Sequence, residues 1–252
     1  SSASSTSRSP RITAGDSGIS GPVPPDARVV PMDGKWLTPG LMNMHIHLDL
    51  NLPGEAQPFT YARGGENTFM PDGDNPRLPG KIGLQALGGL LTHLPGLTVL
   101  GSSTVNSYRR MMDLGFWAPV FANWGYQNRT CSVRNSAPGR FEYKAVDSSH
   151  NPYLLSAGLL KAMDDGITHD LDPGPAEQRN IYDVIDEVKD LYRQLPMSLG
   201  EGLDAFEASA LARSALPGEM YGVFMHYKRD EWQRFLATVT DWDIETYLDC
   251  LP

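Results

Sequence analysis

Between Asn106 and Lys144 stand six basic residues and two acidic ones, a net +4 inside a chain whose formal charge is −9. The densest part is Arg140-Phe141-Glu142-Tyr143-Lys144. In an extended strand, side-chain alternation puts Arg140, Glu142 and Lys144 on one face and both aromatic rings on the other. A carboxylate can take a hard divalent cation while flanking cations take phosphate or carboxylate groups, which suits a metal-bound nucleotide and an acidic substrate. The same row also suits an exposed strand face charged for solubility. A second constellation is His45 and His47 in Met44-His45-Ile46-His47. Two apart on a strand they share a face, a spacing used for metal ligation, and a histidine pair without metal is the plain alternative.

The elements that must carry these residues follow from pattern. At 252 residues the chain can bury a substantial core as one large or two small domains. With 40% hydrophobic and 20% charged residues and a pI near 5.1, it reads as an ordinary acidic soluble protein. That balance argues against a general nucleic-acid binder, so phosphate contacts must be local. Cys131 and Cys250 lie far apart and form no CxxC, which supports neither a disulfide framework nor a zinc ribbon and leaves a reducing cytoplasm as the default. No apolar run of about 18 residues suggests a membrane span, and the Ser-rich start has no signal-like apolar core. Asn128-Arg129-Thr130 fits a glycosylation sequon, read as coincidental without a secretion signal.

Residues 1–27, rich in Ser, Gly and Pro, read as a disordered tail. Residues 28–62 hold the HxH-bearing strand and the start of a loop that runs to Pro79, and residues 63–252 read as one further domain. Leu84, Leu87, Leu91 and Leu94 share a helix face that Pro95-Gly96 is expected to interrupt. Strands are expected over Trp117–Trp124, Thr130–Asn135 and Arg140–Val146, and a helix over Leu154–Ile167. Ser198–Ala215 follows as a helix, with Ser198 and Glu201 in capping-box register. Met220–Leu236 and Asp241–Leu251 close the chain as amphipathic helices. The predicted class is α+β, an antiparallel sheet flanked by helices.

Ordered motifs from Glu66 to Leu251 then resemble the C-terminal catalytic part of glutamine synthetases. They are Glu66-Asn67-Thr68-Phe69, Gly88-Gly89-Leu90-Leu91, Asn106-Ser107-Tyr108-Arg109-Arg110, Ala118-Pro119-Val120, Asn128-Arg129 with Arg134, Arg140-Phe141-Glu142, Asn151-Pro152-Tyr153-Leu154 and Asp165-Gly166-Ile167. The ending, Lys228-Arg229-Asp230-Glu231-Trp232 through Asp241-Trp242 to Tyr247-Leu248, looks most like the type III or glutamate-amine ligase branch. The resemblance implies a synthetase-like catalytic fold, N-terminally incomplete, and an ATP-dependent ligation. Glutamate is phosphorylated on its γ-carboxylate, and ammonia or a small amine then displaces the phosphate. It further implies Mg²⁺ or Mn²⁺ and a homo-oligomer.

Carried over by motif, the resemblance assigns Arg110 to a substrate carboxylate and Arg129 to glutamate and the transferring phosphoryl group. Arg134 and Arg140 go to nucleotide phosphates, Glu142 and His45 to metal, and His47 to ATP. Lys144 stands where the family usually has a glutamate-binding arginine, and loses the bidentate fork. Trp117 replaces a usual glutamate that binds ammonium. Its ring could instead receive an alkylammonium through cation–π attraction, or simply fill core volume. Residues 28–54, with Asp33-Gly34-Lys35-Trp36-Leu37-Thr38-Pro39-Gly40-Leu41 leading into the HxH, also resemble the opening of a metal-dependent amidohydrolase. Two alternatives therefore stand beside the ligase: a non-catalytic synthetase-like assembly or binding module, and metal-dependent amide hydrolysis.

Overall fold

The computed structural model describes residues 46–47 by their backbone, residue 67, residues 69–112 and residues 118–248. At its centre is α1, Lys81–Gly101. Ala86, Leu87, Leu90, Leu94 and Leu97 are wholly buried, so the helix is surrounded by protein rather than lying on its surface. It is long and apolar enough to cross a membrane by composition, yet most of that window is packed inside the fold. The helix runs through Pro95 where an interruption was expected. A proline costs a helix interior about 3 kcal/mol. Here Leu94, Leu97, Val99 and Leu100 bury themselves on both sides of the ring, and packing outweighs the missing donor.

The Gly88-Gly89 pair explains how α1 meets α3, Pro152–Thr168. A Cβ on Gly89 would lie 2.0 Å from the Ala162 carbonyl oxygen, and one on Gly88 would lie 2.3 Å from that of Leu171. The two helix backbones touch, with Gly166 supplying the matching gap on α3. α3 starts at Pro152, two residues ahead of the expected Leu154. Asn151 caps it, its side-chain oxygen accepting from Tyr153 N at 3.0 Å, and Pro152 takes the first position, where no N–H is needed.

Between these helices in the chain come α2, Val105–Arg109, capped by Thr104 and Ser107, and three strands of a small sheet whose other strand precedes α1. Its strands are β1 Ile46–His47, β2 Trp124–Tyr126, β3 Val133–Ala137 and β4 Arg140–Tyr143, in the order β1-β4-β3-β2. Two pairings are antiparallel as expected, but β2 and β3 run parallel. The short connection manages this because Gln127 takes a left-handed φ of 55° and Asn128 accepts hydrogen bonds from Thr130 N and Oγ. The Asn128 amide also donates to the Glu177 and Arg179 carbonyls, so the sequon asparagine is occupied within the fold.

The later chain is helical: α4 Ile185–Val188, α5 Leu199–Ala208, α6 Ala210–Ala215, α7 Met220–Leu236 and α8 Asp241–Tyr247. The single helix expected over Ser198–Ala215 is broken at Ser209, whose extended backbone ends α5 while its hydroxyl caps α6. Ser198 caps α5, but Glu201 returns to Met197 N instead of completing the box at Ser198. Phe141 and Tyr143 from the sheet join Leu87, Leu155, Leu203 and Phe206 from three helices in one contiguous core.

Candidate active site

The β3–β4 hairpin sets the geometry. Its turn at Gly139 has φ 72°, and Asn67 donates to the Gly139 carbonyl at 3.1 Å. Phe69 stacks on Phe141 with centroids 4.8 Å apart. Asn67 and Phe69 therefore clamp the hairpin. Clamped so, the ladder puts Arg134 directly opposite Glu142 on one side of β4 and the His47 backbone opposite it on the other. Residues facing each other across a ladder lie close enough to interact.

They do interact: Arg134 Nε donates to Glu142 Oε2, with side-chain exposures of 14% and 3%. Lys144 follows on the same strand face, buried, its ammonium donating to the Arg129 carbonyl. Burial pulls the Lys144 ammonium down to about 8, against the attraction of Glu142. Arg134, Arg129 and Cys131 also stand near it, and burial pushes the Cys131 thiol up to about 12. Arg140 opens β4 two residues before Glu142, and alternation puts it on that same face.

Arg110 sits elsewhere. Its Nη2 donates to Ser102 Oγ at 3.3 Å, and among the described residues its charged or titratable neighbours are Asp147, Tyr143 and Tyr108. Tyr143 follows Glu142 in the strand and so takes the opposite face, which is why Arg110 and Glu142 are separated. Burial pulls the Arg110 guanidinium down and pushes both tyrosine hydroxyls up. Arg129, Arg134 and Lys144 thus stand with Glu142, and Arg110 stands with the tyrosines. His45 and Trp117 lie outside the described residues.

Glu142 fits one ligand position of a divalent cation. It is a buried carboxylate whose charge a cation must neutralise, and a guanidinium now does so. Among the described residues no three His, Cys, Asp or Glu side chains converge as a metal site. A Mg²⁺-like ion, which typically takes one or two carboxylates and fills its shell with phosphate and water, suits such a site better than an all-protein cage.

A family model described as "Glutamine synthetase, catalytic domain" matches residues 42–247. The chain belongs to the glutamine synthetase family. It is 36% identical over 222 residues to a glutamine synthetase of Pyrococcus woesei, covering 81% of this chain and 47% of that protein. A Halobacterium salinarum glutamine synthetase is 34% identical over 212 residues, covering 82% and 44%. Among solved structures, a "GmaS/ADP complex" superposes with a TM-score of 0.69 at 34% identity, covering 75% of this chain and 44% of that one. The same protein without ligand gives 0.67. This chain thus spans somewhat under half the length of the curated synthetases it matches. The matched segment begins at residue 42 and so takes both HxH histidines into the synthetase catalytic domain.

What sequence reasoning missed is the Arg134–Glu142 partnership. The Pro138-Gly139 turn between two expected strands carried that signal, since a hairpin turn fixes which residues oppose each other.

Proposed function

We propose that this chain carries the nucleotide-handling face of an ATP-dependent ligase that joins ammonia or a small alkylamine to the γ-carboxylate of glutamate. The observation that carries this reading is the group on β3 and β4: one buried carboxylate with Arg134, Lys144 and Arg129 around it. In such a ligation a γ-carboxylate oxygen bonds to the γ-phosphorus of ATP and ADP departs. The amine nitrogen then bonds to the acyl carbon, phosphate leaves with its oxygen, and the amine loses a proton. Neither step needs a covalent enzyme intermediate, so the protein's work is positioning and neutralising charge.

The residues divide that work by chemistry. Arg134 and Arg140 hold nucleotide phosphates, with His47 beside them. Arg129 faces the phosphoryl group in transfer, and loss of one such charge stabiliser typically costs about 10²–10³ in rate. Lys144 and Arg110 hold substrate carboxylates. Glu142 and His45 would hold Mg²⁺ or Mn²⁺, which when bound screens phosphate charge. Trp117 offers a ring face to an alkylammonium. The same reading carries a homo-oligomer and a cytoplasmic location.

Phosphate release from ATP by the purified chain tests it. The expected result is release that depends on glutamate and is stimulated by ammonia or methylamine, with Glu142→Gln folded and inactive. Release indifferent to glutamate overturns the ligase, and amide hydrolysis without ATP would favour the amidohydrolase instead. Equal or better use of ammonia than of methylamine counts against the indole amine site.

A further inference from the structure

We propose that the cavity between the loop ahead of α1 and the turn after α3 binds a short aliphatic diamine. The cavity is separate from the group on β3 and β4, since neither Glu142 nor Arg134 lines it, and its occupancy does not depend on the ligase reading.

Its walls are both fastened to α1. On one side the loop closes on the start of the helix: Gly80 N donates to the Met70 carbonyl at 3.0 Å, and Asp72 Oδ2 accepts from Lys81 N. A Cβ on Gly80 would lie 2.6 Å from Asp72 Oδ1, so glycine lets this carboxylate sit against the first turn. On the other side Leu171 N donates to the Gly166 carbonyl at 2.9 Å, the Leu171 carbonyl rests on Gly88, and the Gln85 amide donates to Asp170 Oδ1. The space between the walls, about 520 Å³, is therefore preformed. It falls within the ordinary size of a small-molecule site, and a preformed site spares a ligand the cost of ordering it.

The lining selects the ligand. Leu78, Leu84, Leu171 and Pro173 supply apolar surface, and Leu78 is left 47% exposed there, so an alkyl chain laid on them removes that surface from water. Charge asks for cations at the chain's ends. Asp72, Asp170 and Asp172 share the lining with one ammonium, that of Lys81, which is 78% exposed and 3.9 Å from Asp170. Arg77, the other cation of the loop, lies over the Tyr126 ring at 5.5 Å. Three carboxylates against one ammonium leave two negative charges around the cavity. Each carboxylate has one oxygen engaged, by Lys81 N, by the Gln85 amide and by Gly174 N, and among the described residues the second oxygen of each accepts no hydrogen bond. These acids do not converge as a metal site, so a single divalent ion is not their counterpart. Two ammonium groups held apart by an apolar chain are, one meeting Asp72 and the other the wall of Asp170 and Asp172.

Titration of the full chain with 1,4-diaminobutane, without glutamate or nucleotide, tests this by amide chemical shifts and calorimetry. The expected result is one saturable site that shifts the amides of Leu84, Gln85 and Leu171. n-Butylamine, the same chain with one charge, should bind about threefold or more weakly. Asp170→Asn and Asp172→Asn combined keep an acceptor oxygen for Gln85 and for Gly174 N, so the double variant should fold as the wild type does. It should bind the diamine roughly tenfold more weakly, about threefold for each exposed ion pair lost. Lys81→Gln removes the competing ammonium and should bind about threefold more tightly. No saturation by about 10 mM, or shifts confined to β3 and β4, overturns the proposal. Equal affinity for butylamine and the diamine overturns it too, as does undiminished binding by the folded double variant. Should that variant fail to fold, Lys81→Gln decides, and unchanged or weaker binding by it is the overturning result.

Discussion

Burial pulls the Lys144 ammonium to about 8, while an unfolded lysine keeps its proton to roughly 10.4. The sign follows from proton counting. Below pH 8 both states are protonated, and the folded protein bears the cost of a buried charge. Between 8 and 10.4 the unfolded state holds more protons, so stability rises with pH. Relative to Lys144→Met, the wild type should therefore gain on the order of 2 kcal/mol in urea titrations as pH goes from 8 to 10. Parallel pH profiles for the two proteins would remove the electrostatic account of this residue. Glu177 shifts the other way. Hydrogen bonds from Arg179, with a further one from Tyr192, hold its carboxyl at about 2. That stabilisation is complete above the unfolded carboxylate value near 4.3 and is lost as pH falls toward 2. Glu177→Gln should cost about 2 kcal/mol at neutral pH and flatten the acid limb of the stability curve over that interval. Unchanged acid unfolding would show that the carboxylate charge plays no part. These two residues also differ in how visible they were. The Arg140, Glu142, Lys144 row follows from strand alternation and needs no tertiary information. Glu177 matters because the chain after α3 folds back on β2, with Glu177 N donating to the Trp124 carbonyl at 2.8 Å, and no local pattern announces that return.

At the scale of elements, local propensity and tertiary packing oppose each other most plainly in α1. Replacing Gly89 by alanine should favour the isolated helix by roughly 1 kcal/mol. In the folded protein the new methyl group would meet the Ala162 carbonyl oxygen at 2.0 Å and the Gly166 nitrogen at 2.7 Å, both backbone atoms that cannot rotate away. Gly89→Ala is therefore expected to destabilise the protein by about 2 kcal/mol or more, because the two helices must separate along their contact. Denaturant titration decides the sign, and a stabilised variant would mean that α1 and α3 do not touch at this point. The same competition explains where pattern reading succeeded. The body of α3 was legible from its apolar run and α7 from its amphipathic spacing, because both patterns are local, whereas the first turn of α3, set by Asn151 and Pro152, lay outside the expected span. The passage of α1 through Pro95 and the break at Ser209 were not legible. Both depend on what packs against the chain: buried leucines around Pro95, and the surface of α1 against Ser209, whose Cβ lies 3.0 Å from where a Gly96 side chain would begin. The parallel pairing of β2 with β3 was hidden for a related reason, since parallel partners ordinarily need a far longer connection.

For the whole molecule, the sheet that carries the candidate site and the helices behind it share one core. Val133, Phe141 and Tyr143 are packed into the same buried cluster as Leu90, Leu159 and Leu203. A ligand held on β3 and β4 should therefore stabilise the helices it never touches. With ADP and Mg²⁺ at one hundred times their dissociation constant, linkage predicts about 2.7 kcal/mol of added stability. For a domain of 150 to 250 residues that corresponds to a rise in Tm of about 2–4 °C per kcal/mol. Two probes read the two parts separately: helical circular dichroism follows α1, α3 and α7, while in a variant whose other four tryptophans are replaced by phenylalanine the fluorescence of the buried Trp124 follows the edge of the sheet. If the core is one cooperative unit, both midpoints should rise together, and Glu142→Gln should abolish both shifts. A rise confined to the fluorescence transition would mean that the sheet unfolds independently of the helices, and the shared hydrophobic cluster would then not bind the site to the rest of the fold.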